Sequence, residues 1–483
     1  MIACDVLLRG AIVIDGSGAP GYHGDVALAG GRIAAVAPAG MLRFESRQTR
    51  DLAGQVLAPG FIDVHTHDDR LLLADPVMTP KLSQGVTTVV TGNCGVSLAP
   101  LGEHPAVPPL NLVADATQPR QRFSSFAAYF AALEAAPPAI NCAALVGHST
   151  LRVVAMRDLD RPADAAEIAA MQRGVAEALD AGAIGASTGT YYAPANAATA
   201  AEIGAVFEPL RGTGAVIASH IRDEGERVLE AMREAMDIAA GLGVRQVLSH
   251  HKVIGRANFG RSTETLALLD ARRAAAADVC LDCYPYTASS TVLRKDAARQ
   301  AQRVLVAWST ARPDAAGKYL DELAARDGVT QDELIDRLQP GGAIYFSMDE
   351  ADVERILAHP QTMVGSDGLP HDAFPHPRLW GAFPRVLGHY ARGRGLFSLE
   401  TAVHKMTGLP ADRFRLAGRG RIAEGAAADL VVYDPARVAD AATFAAPKTA
   451  AAGIDSVYVN GALAWHDGGP TAARAGRVLR RSS

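Results

Sequence analysis

Apolar and polar positions follow two different rhythms along the chain. Over residues 5–58 the apolar residues come in short runs, Asp5-Val-Leu-Leu-Arg-Gly10, Ala11-Ile-Val-Ile-Asp15, Asp25-Val-Ala-Leu28 and Arg32-Ile-Ala-Ala-Val36, each bounded by Gly, Pro or Asp. That pattern predicts short strands around turns. The C-terminal stretch resumes it with Ala428-Asp-Leu-Val-Val-Tyr-Asp434 and Ser456-Val-Tyr-Val-Asn-Gly461. The two ends together therefore predict one small β-sandwich domain, residues 1–58 plus 415–483.

Between them, short β-branched apolar runs alternate with helical patterns. The runs fall at residues 56–65, 86–93, 140–148, 183–190, 215–221, 245–251, 279–284 and 363–367. Helical spacing joins Ile168, Met171, Val175 and Leu179 within 165–181, and Leu266 with Leu269 within 262–277. Eight strands interleaved with helices over residues 59–414 predict an α/β fold, a (β/α)8 TIM-like barrel whose strands are buried on both faces. A doubly wound open sheet is the alternative, but its G-x-G-x-x-G fingerprint does not follow a predicted strand; Gly241-Leu-Gly243 lacks the third glycine. One stretch breaks the alternation. Residues 285–348, between the seventh and eighth strands, are too long for a loop and a helix and are expected to form an inserted subdomain, a lid or substrate-binding element.

Composition narrows the function classes. The 52 acidic and 47 basic residues are spread without runs of like charge, which disfavours nucleic acid as a partner. No apolar stretch reaches the ~18 residues of a membrane span, and Asp5 stands where a signal peptide carries positive charge. Five cysteines in 483 residues are odd in number and sparse, unlike a secreted disulfide framework. A cytoplasmic enzyme is expected, without membrane attachment.

In a barrel of this kind, functional groups project from the C-terminal ends of the strands. The first run ends Phe61-Ile-Asp-Val-His65-Thr-His67, where a period of two puts both imidazoles on one face, suited to one metal ion. The second ends Asn93-Cys94-Gly95, leaving a thiol that, as thiolate, can ligate and bridge metal ions. The fifth ends Ala218-Ser-His220, the sixth Ser249-His250-His251-Lys252 and the eighth Gly365-Ser-Asp367. Four histidines, a cysteine and an aspartate suit zinc better than magnesium or calcium, which take oxygen ligands. A zinc-activated water attacking an amide is the expected chemistry, with Asp367 as general base and acid.

These residues carry a resemblance. The order His-x-His, Cys, His, His, Asp is similar to the amidohydrolase superfamily, and the flanking text resembles the D-aminoacylase (N-acyl-D-amino-acid deacylase) family. The text in question is Pro59-Gly-Phe-Ile-Asp-Val-His-Thr-His-Asp-Asp69, Gln84-Gly-Val-Thr-Thr-Val-Val-Thr-Gly-Asn-Cys94-Gly95, Val146-Gly-His-Ser-Thr-Leu-Arg152, Ser219-His-Ile-Arg-Asp-Glu-Gly225, Ser249-His-His-Lys252 and Gly365-Ser-Asp-Gly-Leu-Pro-His371. Many superfamily members bridge two metals with a carboxylated lysine on the fourth strand. None is present in Ala183-Ile-Gly-Ala-Ser-Thr-Gly-Thr190, and in the deacylases the cysteine takes that part.

The resemblance implies a tightly held zinc on Cys94, His220 and His250, and a second, weaker position framed by His65, His67 and Asp367. It also implies that Lys252, Arg378, Tyr192, Tyr284 and Ser290 gather around the α-carboxylate of a small-molecule N-acyl-D-amino acid. Tyr284-Pro-Tyr-Thr-Ala-Ser-Ser-Thr-Val-Leu-Arg294 resembles the general deacylases, which implies apolar side chains, although Arg294 and Lys295 suit an acidic one. The alternatives are an N-acyl-D-glutamate or D-aspartate deacylase, a cyclic-amide hydrolase of the hydantoinase or dihydroorotase kind, and an inactive barrel scaffold. Cys280 and Cys283 are spaced C-x-x-C but lack the second pair of a zinc ribbon, and three residues apart on a strand they face opposite sides. His148 is expected to pack or to hydrogen-bond behind the metal ligands.

Overall fold

Parallel strands need cover on their outer face, and the chain supplies it by following strands with helices. The computed structural model describes residues 2–41, 43–114 and 121–481. In it, eight parallel strands are hydrogen-bonded in chain order: β1 Phe61–Asp63, β2 Val86–Thr91, β3 Asn141–Gly147, β4 Gly185–Gly189, β5 Val216–His220, β6 Arg245–Leu248, β7 Val279–Cys283 and β8 Thr362–Val364. A bridge between Thr66 and Gly368 joins the two ends, so the barrel is nearly closed. The (β/α)8 expectation is met, and each of the eight runs overlaps one barrel strand.

The alternation of side chains across each strand sorts the core into layers. Ile62, Val64, Val90, Leu145, Val216, Val247 and Met363 fill the barrel interior, with Leu409, Phe414 and Leu416 packed against them. Leu248, Leu281 and Cys283 face outward onto the helices Val228–Leu242, Ser262–Ala274 and Glu350–Ala358. Cys280 lies with the inner layer and Cys283 with the outer, as their spacing implies. The helix Ala165–Ala181 has the expected bounds. Asp164 and Glu167 form a capping box at its start, and Gly182, at φ +106°, ends it in a left-handed turn.

Residues 56–65, read from sequence as one strand, are two. Val56–Pro59 pairs with the terminal strands and only Phe61–Asp63 enters the barrel. Gly60 is the pivot, since a Cβ there would lie 2.2 Å from a Thr87 side-chain carbon. An unbroken apolar run cannot reveal that its two halves belong to different sheets.

Both termini pair into one nine-stranded sheet. The long strand Ile2–Val13 bulges between Leu8 and Ala11, pairing with Tyr22–Ala29, Phe44–Asp51 and Val56–Pro59, while Leu430–Tyr433 continues the sheet from Val56–Pro59. Asp429 fastens this sheet to the barrel. Its carboxylate accepts from Asn141 Nδ2 of β3 (2.9 Å) and from the Asn460 backbone (2.7 Å), and pairs with Arg419.

The inserted segment folds around its own centre. Three antiparallel strands, Ala288–Val292, Arg303–Ser309 and Gly341–Phe346, with the last in the middle, carry helices over a cluster that includes Leu293, Val306, Leu320, Leu334, Ile335 and Tyr345. Among the described residues, no helix is long and apolar enough to cross a membrane.

Asp429→Ala should leave the largely buried Arg419 guanidinium and the Asn460 amide without this acceptor. A loss of about 3–5 kcal/mol is expected for breaking such a pair, read as a calorimetric Tm several degrees lower with metal content unchanged.

Candidate metal centre

The donors stand at or just past the ends of the strands, and the backbone at three of them leaves ordinary conformations. Cys94, His250 and Asp367 have φ of +55°, +34° and +49°, the left-handed region that non-glycine residues rarely enter. Such outliers persist only where the surroundings enforce them. Around Cys94 the enforcement is close packing of backbone on backbone: a Cβ on Gly92 would meet the Leu145 carbonyl oxygen at 1.9 Å, and one on Gly95 the Gly189 amide at 2.7 Å. The loop after β2 is thus pressed onto β3 and β4, and the turn at Cys94 aims its sulfur among the histidines.

Cys94 Sγ lies 3.2 Å from His65 Nε2 and 3.3 Å from His250 Nε2, and His250 Nε2 lies 2.8 Å from His220 Nδ1. Asp367 Oδ1 is 3.2 Å from His67 Nε2 and 3.6 Å from His65 Nε2. Two donor groups result, His65, His67, Cys94 and Asp367 in one and Cys94, His220 and His250 in the other, with all ligand atoms of each within 4.8 Å of one another. All six residues are buried. His65 and His67 lie beyond the end of β1, so the bridge at Thr66 to Gly368, rather than strand periodicity alone, keeps both beside Asp367.

The electrostatics favour a cation. Burial alone would push the Cys94 thiol up, but His65 and His250 outweigh it and hold it well below the ordinary thiol range. Burial likewise raises Asp367, and Arg378, His250, His67 and His65 outweigh it, leaving the carboxyl well below its usual range. A thiolate, imidazoles and a carboxylate converging on one volume fit zinc by charge, softness and number.

Behind the donors stands a second set of carboxylates, which orients the rings. His65 Nδ1 lies 3.3 Å from Asp282 Oδ1, the same oxygen that accepts the His250 amide at 2.8 Å. Glu224 Oε1 is 3.2 Å from His250 Nδ1 and 2.5 Å from Lys252 Nζ. Carboxylates on the far nitrogen fix tautomer and ring orientation in metal sites. The sequence reading passed over both: Glu224 sits in a quoted motif without a role, and Asp282 is hidden between Cys280 and Cys283.

Lys252, Tyr192, Tyr284 and Ser290 line a narrow cleft that opens onto His220, His250 and Asp367. Tyr284 Oη and Ser290 Oγ are buried there without hydrogen-bond partners, while Tyr192 Oη meets Thr291 Oγ1 at 3.0 Å. Arg378 Nη1 pairs with Asp367 Oδ2 at 2.8 Å, its Nη2 donates to the Ser290 carbonyl, and its guanidinium lies over the Tyr284 ring. All eleven singled-out residues therefore lie in or directly against one region. His148 lies apart from the donors, held by Glu202 at 3.5 Å and packed on Phe207.

Comparison with known proteins agrees with this geometry. The model of the amidohydrolase family matches residues 48–464. The chain is 55% identical over 480 residues to a D-aminoacylase of Alcaligenes xylosoxydans xylosoxydans, covering 99% of this chain and 98% of that one. It is 51% identical over 478 residues to an N-acyl-D-aspartate deacylase of the same organism, covering 98% and 95%. The structure also superposes on that of N-acyl-D-glutamate deacylase from Bordetella bronchiseptica, complexed with zinc and a phosphonate mimic of the tetrahedral intermediate. Here the TM-score is 0.94 and the identity 46%, over 99% of this chain and all of that one.

The position of Cys94 in both donor groups predicts that Cys94→Ala purifies without stoichiometric zinc, checked by elemental analysis against the parent protein. Retention of a full equivalent would remove the sulfur from the coordination set.

Proposed function

The chain belongs to the amidohydrolase family, and on that premise we propose that it is a zinc-dependent deacylase, cleaving the linear amide of N-acyl-D-amino acids to a carboxylate and a free D-amino acid. One observation carries this reading: 55% identity to a D-aminoacylase, end to end, in a chain with a cysteine past β2 and no lysine in β4.

In this reading Cys94, His220 and His250 hold one zinc tightly, and His65, His67 and Asp367 frame a second, weaker position. When bound, zinc polarises the amide carbonyl and lowers the pKa of a coordinated water toward ~7. The remaining work falls to side chains. Arg378 holds Oδ2 of Asp367, which leaves Oδ1 turned toward His65 and His67. From there Asp367 takes the proton of the attacking water and delivers it to the amide nitrogen, a poor leaving group until protonated. Lys252, Arg378, Tyr192, Tyr284 and Ser290 surround the substrate α-carboxylate. The unpartnered hydroxyls of Tyr284 and Ser290 are the donors ready for it, and Lys252 and Arg378 supply the positive field.

The side chain accepted is apolar. Arg294, which by sequence suited an acidic one, is engaged by Asp296 at 2.5 Å and lies over the Tyr191 ring. Lys295 is turned to Asp336 at 2.7 Å. Neither cation lines the cleft, whose lining away from the donors includes Ile254, Ala297 and Tyr345 beside Thr291 and Gln300. We also assign the protein to the cytosol, since all five cysteines are unpaired thiols.

An amine-release assay over paired D and L N-acetyl amino acids should register only the D series, with methionine and leucine ahead of glutamate and aspartate. Faster release from the acidic pair would overturn the apolar assignment. Chelation should abolish activity and zinc restore it. Asp367→Asn should lower turnover by ~10²–10⁴-fold while the tight zinc stays in place, and near-normal turnover would sink the proton-shuttle role.

A further inference from the structure

Lys81 is a cation with no exposed surface, on the short helix Thr79–Leu82 that precedes β2. Its Nζ contacts Asp63 Oδ2 at 2.7 Å, Asp68 Oδ2 at 3.2 Å and Ser366 Oγ at 2.9 Å. Asp63 ends β1, Asp68 follows His67, and Ser366 precedes Asp367. One ammonium therefore ties the first strand's end to the eighth's.

That junction is where the barrel has least backbone pairing, the bridge from Thr66 to Gly368. Side chains add to the closing there. Asp63 Oδ1 accepts from the Ser366 amide at 2.8 Å and from the His65 amide at 3.3 Å, and Ser366 Oγ accepts from the Gly368 amide at 3.2 Å. The Asp367 amide donates to the His65 carbonyl at 2.8 Å. Asp367 thus stands at the tip of a left-handed turn, φ +49°, whose two neighbours are both bolted down by the Lys81 network. A fully buried ammonium with two carboxylates is costly to desolvate and is weak evidence for stability as such. Its value lies in position, because an error of about 1 Å in a reacting group can cost ~10²-fold in rate.

We propose that Lys81 is a positioning residue for the deacylation, holding Asp367 in register with His65 and His67 by stitching Asp63, Asp68 and Ser366 across the barrel seam. The inference rests on the reading of Asp367 as the proton-transferring carboxylate.

The test uses the zinc-loaded full chain as Lys81→Met, Ser366→Ala and, in parallel, Asp367→Asn. In Lys81→Met, kcat should fall ~10–100-fold with KM within about threefold, the tight zinc retained and the affinity of the second metal position weakened about tenfold by titration. Ser366→Ala removes one bolt and no charge, so it decides the case if Lys81→Met does not fold; it should lose kcat in the same direction at unchanged KM. A lowered Tm with kcat and second-site affinity unchanged in both variants would overturn the proposal, leaving Lys81 as a structural pair. If Asp367→Asn itself keeps normal turnover, the reading of Asp367 fails and this inference with it. If Asp367→Asn is inactive while the other two are normal, the positioning role alone fails.

Discussion

A sulfur anion buried among imidazoles organises this molecule. Sequestering a thiolate from water costs several kcal/mol unless opposite charge is at hand, and here His65 and His250 lie within 3.3 Å of it. Those two rings come from the segments that follow β1 and β6, strands that are not neighbours in the barrel, so the charge balance of one atom draws separate strand ends together. The left-handed turn at Cys94, and the glycines on either side of it, serve the same demand. Moving that loop outward by a side chain's width would separate the two donor groups that share the sulfur.

Around this centre lie successive layers of compensation. Asp282 and Glu224 face the outer nitrogens of the rings, Lys252 and Arg378 face the carboxylates, and Lys81 balances Asp63 and Asp68. Each of these charges has a partner on a different loop or element of the barrel mouth. The polar network therefore supplies, at the mouth of the barrel, the cross-links that hydrogen-bonded ladders supply lower down. This explains why the eight strands are short and the functional residues sit beyond their ends without loss of order.

The sequence was informative in proportion to how local each signal was. Strand runs and the 165–181 helix were legible because periodicity and caps act within a few residues. The candidate donors were legible because His, Cys and Asp recur at one structural position, the strand terminus, and that repetition survives without coordinates. The division at Gly60 was not legible, since both halves are equally apolar and only the strand partners differ. Nor were Glu224, Asp282 and Lys81, whose roles depend on partners 13 to 285 positions away in the chain. A lysine ahead of an apolar strand reads as a solvated charge until the fold encloses it. Arg294 and Lys295 erred the other way, since their charge was visible but the nearby aspartates that quench it were not.

The inserted segment carries its own core, packed on Leu320, Leu334 and Ile335 rather than on the barrel strands. Ser290, Ala297 and Tyr345 of the cleft belong to this separately consolidated body, whereas the six candidate donors belong to the barrel. Substitutions confined to that body therefore reshape one part of the cleft lining without touching the residues that converge at the barrel mouth.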